Sequence, residues 1–113
     1  MTGEDTDKYL ELAVESEYDH CVTKHGGFKN HHEAYAVMRE ECEEVSEAFT
    51  IFSNRRKDVM QEIWKMIRKD EVGEDAVVHL EKLEGIAEEL VKEGIQVMAM
   101  CRKWNVLLAK ENE

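Results

Sequence analysis

Residues 75–110 read DAVVHLEKLEGIAEELVKEGIQVMAMCRKWNVLLAK, and this stretch decides the fold class. Ala76, Leu80, Leu83, Ala87, Leu90, Gly94, Val97, Cys101, Trp104 and Leu108 follow one another in steps of four and three. An α-helix returns to the same side about every 3.6 residues, so this rhythm lays one apolar seam along a long helix. A seam this close to a heptad packs against other helices, from the same chain or from a partner. Ala87 and Gly94 are small enough to admit another backbone, and Gly85 is a place where the helix could break.

The preceding residues behave alike. Asn30 with Glu33 three positions on resembles a capping box, and Met38, Cys42, Val45, Phe49 and Phe52 then continue in the same steps. This pattern predicts a second helix from Asn30 to about Phe52, broken at Ser53-Asn54. Val59, Met60, Ile63, Trp64 and Ile67 share a side and predict a third helix over Arg55 to Asp70, with a turn around Gly73. Leu10, Val14, Tyr18, Cys21 and Val22 predict a first helix from about Asp5 to Lys24, ended by His25-Gly26-Gly27. The expected fold is therefore all-α: one domain over residues 1–113, four helices in a bundle-like arrangement, self-associating through the long fourth helix. The absence of proline, with only six glycines in 113 residues, favours few and long helices.

The net charge of −11 at pH 7 repels phosphate backbones, so nucleic acid is a poor partner and divalent cations suit the surface better. No apolar run approaches the length of a membrane span. Cys21, Cys42 and Cys101 are odd in number and widely spaced, which fits neither a disulfide framework nor a zinc knuckle. These features read as a cytosolic protein without a membrane partner.

The chemistry lies in carboxylates. Within Arg39 to Glu47, the side chains of Glu40, Glu44 and Glu47 fall in one helical column. Glu41 and Glu44 fall in a second column with Val37, Ala48 and Ile51, which is otherwise apolar. Like charges at this spacing repel, and carboxylates beside a core cost free energy unless something positive meets them. A hard divalent cation with oxygen ligands is one answer. The plainer alternative is a solvated acidic face, the commoner meaning of a bare EExxE. The fourth helix repeats the pattern, with Glu93 set into the apolar column Ile86, Leu90, Val97, Met100 and Trp104, and with Glu89 and Gln96 beside it. If these two helices pack together, Glu40, Glu41, Glu44 and Glu93, with Gln96 or Glu89, gather around one or two metal ions. For Glu93 alone the plainer alternative is a carboxylate snorkelling at a helix edge.

Two other functions compete. Glu17 to His20 reads as ExxH, a ligand pair of carboxylate-bridged iron bundles, but those need two such pairs and no Glu stands three residues before His79. The chain could also be a non-catalytic acidic helical module that only oligomerises.

The run Asn30 to Glu44, NHHEAYAVMREECEE, resembles the EExxE region of MazG-like all-α nucleoside triphosphate pyrophosphohydrolases, in a small branch from bacteria and their phages. The run Glu89 to Met100, ELVKEGIQVMAM, resembles that branch's second metal-binding helix. The resemblance implies MazG-like architecture and a homodimer or homotetramer. It implies a nucleoside triphosphate substrate and magnesium, for which manganese could stand in. By position, Glu40, Glu41 and Glu44 match the first motif and Glu93 opens the second, with Glu41 and Glu44 in the catalytic role. Gln96 stands where the family usually has Asp, and the 48 residues between Glu44 and Glu93 exceed the usual gap. Lys103 and Arg102, further along the fourth helix, could meet the far end of a triphosphate, and His32 near the first loop could meet substrate; an ordinary surface position is the plainer alternative for each.

Overall fold

A computed structural model describes residues 2–112. Three helices follow one another: α1 (Gly3–His25), α2 (His31–Arg68) and α3 (Glu74–Glu111). No strand occurs among the described residues. The all-α class stands, but the count is three, because the expected second and third helices are one 38-residue helix. Ser53-Asn54 does not break α2. Neither residue forbids helical backbone, and neither proline nor glycine occurs between His31 and Val72. The packing side also runs straight through, since Val45, Phe52, Val59 and Met66 recur every seven residues and all are at least half-buried. Gly85 likewise leaves α3 unbroken.

The Asn30 cap and the Gly26 stop are where the sequence suggests, and Thr2 caps α1 ahead of the expected start at Asp5. The Thr2 hydroxyl accepts from the Asp5 amide at 3.1 Å, and the Asn30 side chain accepts from the Glu33 amide at 2.9 Å. Gly26 closes α1 with φ of 74°. The α2–α3 turn falls just before and at Gly73 as expected, and its left-handed residue is Asp70, φ 56°. The Glu71 amide donates to the Met66 carbonyl at 2.9 Å and the Asp70 amide to that of Ile67 at 3.0 Å, which is a Schellman closure. A side chain in this conformation costs about 1 kcal/mol relative to glycine. Asp70→Gly is therefore expected to raise stability by about 1 kcal/mol. Urea unfolding followed by circular dichroism checks it, and an unchanged midpoint would count against this closure.

α2 and α3 form a long antiparallel hairpin, and α1 packs against α3. With 23 residues, α1 spans about 35 Å, whereas α2 and α3 each run about 57 Å. It can therefore cover only part of the hairpin. The covered part is the end away from the α2–α3 turn, as the Arg102–Glu11 ion pair at 2.8 Å shows. The core sits there too: Val14, Phe28, Ala34, Ala99 and Met100 are buried together, with Tyr18, Val37, Ile95 and Trp104 packed against them. Across the ends of α2 and α3, the Trp104 indole N–H donates to His31 Nδ1 at 3.0 Å, and His31 Nε2 meets Glu111 at 2.6 Å. A ring accepting at Nδ1 carries its hydrogen at Nε2, so one imidazole ties both neighbours. The molecule measures 66 × 29 × 21 Å.

Candidate metal centre

Antiparallel packing of α2 on α3 puts the two acidic motifs side by side. Glu41 and Glu44, one turn apart on α2, face Glu93 on α3. One carboxylate oxygen from each lies within 4.8 Å of the others, and all three side chains are half-buried. Among the described residues this is the one group of three or more acidic, histidine or cysteine side chains close enough to share an ion.

Such a cluster must be neutralised. Part of the answer is Gln96, one turn after Glu93. Oriented to satisfy its neighbours, its amide donates to Glu41 Oε2 at 3.0 Å and to Glu93 Oε2 at 3.1 Å. Protons supply the rest. Burial, then the charges of Glu44 and Glu93, push the Glu41 carboxyl up to about 7. Burial and a hydrogen bond with Glu44 raise Glu93 as well.

The direction matters for stability. The unfolded Glu41 titrates near 4.5 and the folded one near 7, so the folded chain holds this proton more tightly. The stability that proton supplies is complete below about pH 4.5 and disappears as pH rises through about 7. With solvent screening at a half-buried site, about 1 kcal/mol is expected to be lost across that window. Thermal melts of metal-free protein should fall in Tm from pH 5 to 8. A Tm that rises over this window would contradict the cluster's geometry.

The donor set fits a hard cation. Oxygens bound to magnesium at about 2.1 Å lie about 3 to 4.2 Å apart, so carboxylates already within 4.8 Å need only small side-chain turns. Three carboxylates without a histidine suit magnesium or manganese better than a His-bearing iron site. The ExxH pair does not assemble: His20 is exposed, and Glu17 accepts from the Cys21 thiol at 3.4 Å. Burial, then Glu17, pushes that thiol above its ordinary value, which leaves Cys21 a poor nucleophile.

Two cavities flank the cluster. One, of about 410 Å³, lies between α1, Phe28 and the hairpin; Glu17, Glu33, Glu41, Gln96 and Lys103 line it. The other, of about 610 Å³, runs between α2 and α3 toward their turn; Glu44, Glu93, Ile51, Ile86, Arg55 and Lys82 line it. Glu41 therefore faces the first cavity and Glu44 and Glu93 the second.

Lys103 is the unusual residue. It is only 6% exposed, and its ammonium sits 4.3 Å above the Phe28 ring centroid. Among the described residues it has no ion pair. Its stem is buried while its ammonium opens on the smaller cavity, since no buried side-chain nitrogen lacks a partner among the described residues, and there it can meet an anion.

The other expected site residues fare differently. Glu40 is exposed and outside the cluster, because the helix turns it about 100° away from Glu41. It acts on Glu41 only through its charge. Arg102 lines neither cavity and is held by Glu11 instead. His32 is exposed and lines neither cavity, whereas His25 lines the smaller one. Arg55 and Lys82 went unsuggested by the sequence, since nothing local says that residues 27 apart share a groove. Models of known protein families, curated proteins and solved structures all yield no match to this chain.

Proposed function

We propose that this chain is a magnesium-dependent nucleoside triphosphate pyrophosphohydrolase of MazG-like architecture, working in the cytosol as a homodimer or homotetramer. The observation that carries the reading is the meeting of Glu41, Glu44 and Glu93, with Lys103, free of any ion pair among the described residues, lining the same cavity as Glu41. Carboxylates that attract a divalent cation, next to a cation that lacks an anion, match a magnesium-bound polyphosphate.

Glu41, Glu44 and Glu93 would hold the ion, with Gln96 keeping two of them aligned by its amide. Magnesium supplies neutralisation of phosphate charge and acidification of a coordinated water. Lys103 binds phosphate oxygens on the α1 side. The longer groove, with Ile51 and Ile86 on its walls and Arg55 and Lys82 at its edges, accommodates the rest of the nucleotide. Water adds to the α-phosphorus, the bond from that phosphorus to the bridging oxygen breaks, and a carboxylate of the cluster takes the water's proton. The products are a nucleoside monophosphate and pyrophosphate.

The test is incubation with ribo- and deoxyribonucleoside triphosphates, with and without magnesium, with the products separated. Monophosphate and pyrophosphate in equal amounts, only with magnesium, is the expected result. Release of orthophosphate, or no turnover of any nucleotide by folded protein, would overturn the proposal.

A further inference from the structure

Gly85 lies in the interior of α3 on ordinary helical backbone. A glycine there loses more conformational freedom on folding than alanine would. The usual reasons for tolerating that loss are missing. Its φ is not positive, and a methyl group built on it would meet no atom within 4 Å. No neighbouring helix of this chain therefore needs a glycine here in order to come close. The position does line the longer groove, of about 610 Å³, onto which Glu44 and Glu93 open.

Helix geometry gives the groove a floor and a wall. Ile51 on α2 and Ile86 on α3 each stand seven residues from a cluster carboxylate, Glu44 and Glu93 respectively. Each therefore continues its carboxylate's line to within about 20°, about 10 Å further along, and the two form an apolar floor. Gly85 is eight residues from Glu93, about 12 Å along α3 and about 80° around it, which puts it on the wall. Glu81 and Glu89, four residues to either side, line the same groove. The glycine is thus a gap between two carboxylates, beside an apolar floor.

The reaction described above puts the α-phosphorus at the carboxylates and the other phosphates toward Lys103, so the sugar and then the base extend along this groove. A base is flat and apolar on its faces, with N–H donors on its edges. The floor of Ile51 and Ile86 suits the face, and Glu81 and Glu89 accept from ring N–H or amino groups. We propose, resting on that reaction, that Gly85 is a specificity-determining residue: the gap it leaves admits the two-ring system of a purine. A one-ring base reaches less far along the groove and has less need of the gap.

Gly85→Ala and Gly85→Leu fill the gap in two steps and test this. Gly85→Ala meets open space, so it should raise Tm by about 4 °C. In Gly85→Leu, kcat/KM for purine nucleoside triphosphates should fall about tenfold or more, through KM, while pyrimidine nucleoside triphosphates keep theirs. Inorganic tripolyphosphate with magnesium has no base and should inhibit wild type and Gly85→Leu equally. Purine rates that survive Gly85→Leu, or purine, pyrimidine and tripolyphosphate affinities that fall together, would overturn the role of Gly85 and leave the reaction standing. A purine loss accompanied by a changed sedimented mass would also overturn it, by assigning the gap to another helix. A wild-type chain that turns over no nucleotide would overturn the reaction, and this role with it.

Discussion

Glu44→Ala is expected to abolish magnesium-dependent pyrophosphate release while making the protein more stable. Glu44 reaches the cluster from one turn beyond Glu41, and it also lines the longer groove beside Glu93. Its charge and its hydrogen bond help to hold the Glu41 and Glu93 carboxyls above their ordinary range. Removing it therefore relieves repulsion between half-buried like charges. About 1 kcal/mol of added stability, roughly 5 °C in Tm, is a fair scale for a chain of this length. The same change deletes one of three anionic metal ligands. Loss of a group that merely orients a ligand costs about 10- to 100-fold, so loss of the ligand itself should cost at least about 100-fold in kcat/KM. The two effects have opposite signs, which separates a functional carboxylate from a structural one. A variant that is less stable and equally active would assign Glu44 to the fold. Kinetics and melts on the same preparation decide it.

Lys103→Met is expected to lower kcat/KM by about 30-fold without destabilising the chain. A hydrogen bond from a cation to a phosphate oxygen contributes about 2 kcal/mol, which sets that figure. Methionine keeps the length and volume of the lysine stem and can lie against Phe28 as the ammonium now does. It gives up one cation–π contact from an ammonium that opens on the cavity, so stability should change by no more than about 1 kcal/mol. If Lys103 binds ground state and transition state alike, the loss falls in KM. If it acts only on charge developing at phosphorus, it falls in kcat. An unchanged kcat/KM together with a lower Tm would show Lys103 to be a core residue only.

The sequence carried a good part of this arrangement, and the parts it missed share one cause. Periodicity is local, and it located α1, the long α3 and the apolar columns into which Glu41, Glu44 and Glu93 are set. Those columns were enough to bring the three carboxylates together once α2 and α3 paired. The expected break at Ser53-Asn54 weighed two turn-forming residues above the seven-residue spacing of Val45, Phe52, Val59 and Met66, and burial against α3 won. Glu40 was placed with the ligands on motif position, although a neighbouring residue on a helix points about 100° away. Lys103 was picked out for its distance along α3. Its distinctive property is burial under the α1–α2 loop with Phe28, which no pattern within α3 could reveal. Arg102 looked equally available until α1 supplied Glu11. The turn before Gly73 was legible, but its left-handed residue, Asp70, was not, because the closure is fixed by where the last turn of α2 ends.

The central claim is that Glu41, Glu44 and Glu93 together hold a divalent cation, and manganese bound in place of magnesium reports on that directly. Electron spin resonance of wild-type protein titrated with manganese should show loss of the free-ion signal, restored by competing magnesium. Glu44→Gln, which keeps shape and removes charge, should leave the ion free at the same protein concentration. Equal manganese binding by wild type and Glu44→Gln, or none by either, would contradict the account.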